Sequence, residues 1–121
     1  MRVASLGAGR MGRGVAVVFA YAGHEVAVVD FKERPHSDFE KLADEARGEI
    51  ESVQHTLARI GLMQDGDVAT LMKRIRIVPT NGAADAFGRA DYIFEALPEV
   101  LDLKREALAR AARLAGADTI I

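Results

Sequence analysis

Six residues constrain this chain more than any others. Gly7-Ala8-Gly9-Arg10-Met11-Gly12 reads G-x-G-x-x-G, a pattern that carries little weight alone in a chain with eleven glycines. Its setting makes it informative. The apolar run Val3-Ala4-Ser5-Leu6 is short and stops at Gly7, as a buried parallel strand does. Met11 to Ala22 (MGRGVAVVFAYA) is long enough for a helix, and Gly23 suits its end. Glu25-Val26-Ala27-Val28-Val29 then reads as a second buried strand ending at Asp30. Strand, turn, helix and strand within about 30 residues make one βαβ unit, whose crossover geometry favours a parallel sheet.

Each glycine has a physical task in such a turn. Gly7 permits the tight bend, Gly9 lets the backbone approach a pyrophosphate, and Gly12 lets the helix pack closely on the strand. The helix N-terminus, where Arg10 and Met11 fall, offers free N–H groups and positive dipole to phosphates. Asp30 lies eighteen residues beyond Gly12, where a carboxylate can accept hydrogen bonds from the adenosine ribose hydroxyls. Its charge repels a 2′-phosphate and favours NAD over NADP. Lys32 and Arg34 pull the other way, since basic residues just past that strand can hold a 2′-phosphate. The bland alternative is a glycine turn that only eases packing.

The pattern changes after residue 36. Ser37-Asp38-Phe39-Glu40 has the form of a capping box with Ser37 as N-cap. Phe39, Ala43, Ala46, Ile50, Val53, Leu57 and Ile60 then alternate at steps of four and three, ending at Gly61. This narrow apolar seam among many charges predicts a helix that projects and packs on one partner. A second helix from Asp65-Gly66-Asp67 to Lys73 supplies that partner, giving a helical hairpin insertion over residues 37–73. Strands follow at Arg74–Val78 and Asp91–Glu95, with a short helix at Ala83–Gly88 between them. Leu101 to Leu114 reads as an amphipathic helix presenting Leu101, Leu108, Ala112 and Ala115, and Thr119-Ile120-Ile121 begins a fifth strand.

Composition closes off several classes of function. With 121 residues the chain has the length of one domain, able to bury roughly two-thirds of its unfolded surface. A net charge of −2 offers no footprint for nucleic acid or an anionic membrane. The absence of cysteine excludes disulfides, thiol nucleophiles and thiolate metal sites, and no metal site is expected. Val15 to Ala22, the longest apolar stretch, is too short to span a bilayer, so a soluble, cytoplasmic domain is expected.

The residues together resemble the 3-hydroxyacyl-CoA dehydrogenase family, which includes 3-hydroxybutyryl-CoA dehydrogenases and the lambda-crystallin-like gulonate dehydrogenases. GAGRMGRGVAVVFAYAGHEVAVVD is similar to the family's opening, with Val15 where an isoleucine is usual. The charged hairpin sits where this family carries one, and DYIFEALPEVLDLKREAL is similar to its fourth-strand segment. The resemblance covers essentially all 121 residues. It implies an α/β fold with a Rossmann-type parallel sheet, the hairpin inserted between the second and third strands, and NAD as cofactor. It also implies that Glu99 and Lys104 contact the dinucleotide near its nicotinamide half, with Glu95 beside them. Without it, Glu99 reads as a first-turn acid and Lys104 as a solvated helix residue. Lys41, Arg47, Arg59, Lys73 and Arg74 are basic candidates for a CoA phosphate, or simply a solvated face.

Family members continue into a catalytic histidine paired with a glutamate, then a helical second domain that makes a homodimer. His24, His36 and His55 match no such pair, so no catalytic residue is assigned within residues 1–121. The sequence reads as cut within its fifth strand, and the segment alone is expected to bind dinucleotide without turnover. The resemblance implies hydride transfer between the C3 hydroxyl of a 3-hydroxyacyl-CoA and NAD. A dehydrogenase of a free hydroxy acid such as gulonate, or a non-catalytic nucleotide-binding module, are the alternatives.

Overall fold

The computed structural model describes residues 1–121. Strand β1 (Arg2–Leu6), helix α1 (Arg10–Tyr21) and strand β2 (Glu25–Val29) form the expected βαβ unit. Helices α2 (His36–Arg59) and α3 (Asp67–Lys73) make the inserted hairpin and lead into β3 (Ile75–Val78). A single 3-10 turn, Thr80–Gly82, precedes α4 (Ala83–Arg89), β4 (Tyr92–Glu95) and α5 (Leu101–Leu114). The four strands pair in parallel in the order β3-β2-β1-β4. Ile120 makes a parallel bridge to Tyr92, so the expected fifth strand touches the free edge of β4 at one residue.

Alternation along the strands divides the core in two. Ala4, Leu6, Ala27, Val29, Val78 and Ile93 face α4 and α5, around a fully buried Phe87. Val26, Val28 and Ile75 face the other way, onto Ala16, Val17 and Ala20 of α1 and Ile50, Val68 and Met72 of the hairpin. The alanines of α1 are fully buried and carry no bulk that would hold the helix off the sheet.

Four expectations are corrected here. Ser37 does not cap α2. Pro35, extended at φ −54° and ψ 148°, precedes the first helical residue, and its carbonyl accepts from the amides of Asp38 and Phe39. The N-cap therefore lies two residues earlier than expected, and no side chain caps the helix. The seam along α2 also drifts: Val53 and Ile60 are exposed, while Gln54 is fully buried. A straight helix turns every 3.6 residues, so a 3.5-residue pattern slides off its buried face within a few turns. Nor does α2 project onto one partner. The helix contacts α1, α3 and β3, Ile50 joins their shared core cluster, and Arg47 Nη1 donates to the Ile75 carbonyl at 3.1 Å. Likewise α5 buries Ala107 and Ala111, with Leu108, Leu114 and Ala115 partly covered, and leaves Leu101 and Ala112 exposed. It packs on α4, and its first turn is exposed.

Gln54 is the exception to a satisfied interior, because neither amide atom has a partner in the protein. Phe87→Ala should show the weight of the other half of the core. Deleting a fully buried ring there is expected to lower the unfolding free energy by about 3–5 kcal/mol, read by urea denaturation.

Candidate functional site

The site lies at the carboxyl ends of β1, β2 and β4, where the loops after these strands converge. Gly7 follows β1 at φ +120°, a conformation that side chains disfavour, and a Cβ there would sit 2.6 Å from the Ala96 carbonyl oxygen. Its amide donates to Val29 O at 2.9 Å, and the Ala96 amide donates to Leu6 O at 3.0 Å. The three strand ends are thereby laced together just below the turn.

Gly12 sets the distance between α1 and β1. A Cβ there would lie 2.3 Å from the Gly7 carbonyl oxygen and 2.7 Å from Ser5 Oγ. Ser5 is fully buried, and its hydroxyl donates to that same Gly7 carbonyl at 2.9 Å. Gly9 differs: it is the N-cap of α1, no side chain caps it, and nothing lies within 4 Å of where its Cβ would be. One glycine is needed for packing, and the other keeps open the approach to the helix N-terminus.

A cleft of about 870 Å³ opens there, lined by Gly7, Ala8, Gly9, Arg10, Asp30, Phe31 and, across from them, Ala96, Leu97, Pro98 and Leu103. Its size and uncapped helix terminus suit a phosphate-bearing ligand with flat ring ends. Of the sequence candidates, Gly7, Gly9, Arg10 and Asp30 stand on this wall. Met11 is exposed on α1, and Gly12 lies beneath the turn in packing contact.

Glu99 and Lys104 stand beside the cleft rather than on its wall. Lys104 Nζ lies 2.6 Å from Glu99 Oε1 and 3.2 Å from Glu95 Oε2, so it bridges the β4 end to the start of α5. Glu95 Oε1 also accepts from the Leu97 amide at 2.5 Å. That backbone bond, with help from Lys104 and against some burial, holds the Glu95 carboxyl below the ordinary glutamate range. The hydrogen bonds to Glu99 and Glu95 in turn push the Lys104 ammonium above its ordinary value.

Arg13 is a site residue that sequence reasoning missed. It is buried; burial disfavours its charge, but bonds to Glu49 and Glu45 outweigh that and raise its pKa further. Its Nη1 lies 2.5 Å from Glu49 and 3.1 Å from Glu45, and its Nε donates to the Ala8 carbonyl at 3.1 Å. One guanidinium thus ties the hairpin to the glycine turn. No signal in the sequence distinguishes it from a surface arginine on α1.

Asp30 is equally engaged. Its side chain is only 6% exposed, and Arg34 Nε lies 2.8 Å from Oδ2. Thr80 Oγ1 donates to its carbonyl at 2.9 Å, fixing the β2 end. No histidine lines the cleft. His55 sits at the far end of α2, where Nδ1 is 2.9 Å from Asp65 and Nε2 is 3.7 Å from Glu51. His36 pairs with Glu40, and His24 faces the N-terminal amine. No three His, Asp or Glu side chains are gathered as metal ligands would be, and no helix is long and apolar enough to cross a membrane.

Comparison with known proteins gives concordant results. The sequence model described as 3-hydroxyacyl-CoA dehydrogenase, NAD binding domain, matches residues 2–121. The chain is 30% identical over its whole length to an L-carnitine dehydrogenase/betainyl-CoA thioesterase of Agrobacterium fabrum, covering 22% of that protein. It is 35% identical over 109 residues, 90% of its length, to an L-carnitine dehydrogenase of Streptomyces coelicolor, covering 30% of it. Among solved structures it superposes on (S)-3-hydroxybutyryl-CoA dehydrogenase from Ralstonia eutropha with a TM-score of 0.82 at 25% identity, over 98% of this chain and 39% of that one. The chain therefore spans well under half the length of these relatives.

Two substitutions separate packing from access. Gly12→Ala must push α1 off β1 and should cost about 1–3 kcal/mol in chemical denaturation. Gly9→Ala, with open space around it, should stay within about 1 kcal/mol of the parent. The acid limb of stability should report Glu95. Its folded pKa is lowered, so its contribution is full above the ordinary glutamate range and is lost as pH falls through the depressed value. Thermal melts between neutral and acid pH should fall less steeply in Glu95→Gln than in the parent.

Proposed function

This chain belongs to the family of 3-hydroxyacyl-CoA dehydrogenase NAD-binding domains, and from that premise we propose that its cleft holds the dinucleotide of an oxidoreductase acting on a 3-hydroxyacyl-CoA. The observation that carries the reading is the convergence of an uncapped helix N-terminus, the open Gly9 and Asp30 on one cleft. In this reading Gly7, Gly9, Arg10, Met11 and Gly12 form the pyrophosphate turn and its support. Asp30 receives the ribose hydroxyls, and Glu99 and Lys104 serve the nicotinamide half. Residues 1–121 act as one NAD-binding unit with the hairpin as its insertion, in the cytoplasm.

The bound nicotinamide supplies hydride exchange with a hydroxyl-bearing carbon. The chain's own residues do the holding. Gly9 leaves the first-turn amides of α1 accessible to phosphate oxygens, and their fixed orientation costs no rearrangement on binding. Lys104, held between Glu95 and Glu99, sets the direction of those carboxylates at the β4 end. No side chain on this cleft is placed to take the hydroxyl proton. The resemblance assigns that step to a histidine–glutamate pair of the family's further region, together with the dimer contact.

A second substrate reading has specific support. Both curated relatives are named for L-carnitine dehydrogenase, and carnitine is a free hydroxy acid rather than a thioester. In that reading the same dinucleotide cleft serves a small hydroxy acid, and the hairpin's basic residues are a solvated face.

Calorimetric titration of the purified protein with NADH tests the cofactor reading. One-to-one binding is expected, and Asp30→Ala should weaken it about tenfold or more while leaving the circular dichroism spectrum unchanged. A folded protein that does not bind NADH would reduce the glycine turn to a packing device. Turnover is not expected from residues 1–121. In the context of a relative's remaining length, oxidation of 3-hydroxybutyryl-CoA against L-carnitine separates the two substrate readings.

A further inference from the structure

The amino ends of the strands carry a second cavity, of about 260 Å³, at the end of the sheet away from the main cleft. β1 is five residues long, so the two sites stand roughly 13 Å apart along it. Alternation turns Arg2, Glu25 and Arg76 to the same face as Ala4, Ala27 and Val78, toward α4. Ala27 and Ala86, both on the cavity wall, are small and leave room between sheet and helix. Lys73 and Arg74 at the end of α3, and Arg89 at the end of α4, complete the rim.

Five cations thus share this wall with one acid, Glu25. Arg2 pairs with Glu25 at 3.4 Å, and Arg89 pairs with Asp85, just off the wall, at 2.9 Å. Asp91, also off the wall, accepts from the Arg2 amide at 2.8 Å. Set against all three acids, the five cations keep a surplus of two charges in a chain whose net charge is −2. Little of that surplus is tied down by the fold. Arg74 Nη1 donates to the Ala20 carbonyl at 2.9 Å, whereas Lys73 and Arg76 are exposed and pair with no carboxylate. Lys73 suits the dipole at the end of α3, but Arg76 lies on a strand and has no such partner.

Like charges gathered round one cavity repel, and an anion that joins them relieves the repulsion. The cavity is smaller than the usual 300–1,000 Å³ or so of a drug-sized ligand site, so the anion is compact. Two or more negative charges are needed to match the surplus. Guanidinium groups also favour phosphate oxygens, which accept their forked pairs of hydrogen bonds. A diphosphate group meets all three requirements, and a lone carboxylate fails on charge. We propose that this cavity is a second anion site, fitted to a diphosphate and held chiefly by Arg76 and Lys73. The proposal does not depend on what the main cleft holds.

The test is calorimetric titration of the purified protein with sodium pyrophosphate at low ionic strength, with NADH in excess to keep the main cleft from contributing. One-to-one binding is expected, tighter than that of orthophosphate. Arg76→Gln and Lys73→Gln, at exposed side chains outside the core, should each weaken it by about fivefold or more. Circular dichroism checks that both variants stay folded. ADP in the same titration separates two sources of the ligand: affinity equal to that of pyrophosphate assigns a nucleotide's diphosphate, and weaker binding assigns a free one. Absence of pyrophosphate binding, affinity no better than that of orthophosphate, or affinity unmoved by both variants overturns the site. Arg76 would then be a charge that guards an edge strand. Failure of NADH to bind overturns the main-cleft reading alone, because the variants still locate the pyrophosphate.

Discussion

The approach of α1 to β1 is the constraint from which the rest of the architecture follows. It is set by the absence of a single carbon, since a Cβ on Gly12 would lie 2.3 Å from the Gly7 carbonyl. Because the helix sits so close, the buried alanines of its inner face can meet Val26 and Val28. Its N-terminus then emerges level with the carboxyl ends of three strands. The switch in strand order between β1 and its neighbours β2 and β4 opens a crevice at that point. Ser5 completes the arrangement by satisfying the Gly7 carbonyl, which faces the interior at this junction.

Electrostatics around the cleft are organised as pairs rather than as free charges. Arg34 covers Asp30, Lys104 lies between Glu95 and Glu99, and Arg13 is held by Glu45 and Glu49. Each carboxylate given a role in binding already has a cationic partner, with Glu95 and Glu99 sharing the one ammonium of Lys104. A ligand bound as proposed would exchange partners with these side chains instead of desolvating bare charge.

How much of this was legible in the sequence depended on the range of the interaction. The strands, α1 and the hairpin were readable because apolar runs punctuated by Gly7, Gly23, Gly61 and Pro79 are local signals. The turn and Asp30 could be placed on one cleft because a βαβ unit leaves little choice of topology. The start of α2 was misread at Ser37, where Pro35 governs the backbone. The seams of α2 and α5 were misread because periodicity fixes a face without saying which turns are covered. Val53, Ile60, Leu101 and Ala112 all fit a stripe and still meet solvent. The pairs Arg13–Glu49 and Arg34–Asp30 carried no readable signal. The first spans 36 positions, and the second has helical spacing in a segment that is not helical.

Glu45 and Glu49 stand four residues apart on one face of α2, a spacing at which like charges repel. Arg13 converts that repulsion into a clasp whose other jaw is the Ala8 carbonyl. The insertion is thus not a portable module. Transplanted into a related nucleotide domain without a cation at the matching position, it would arrive with two uncompensated acids facing the host's glycine turn. A hairpin and its host turn in this fold are inherited as a matched set, and recombination between them should succeed only where the arginine travels along.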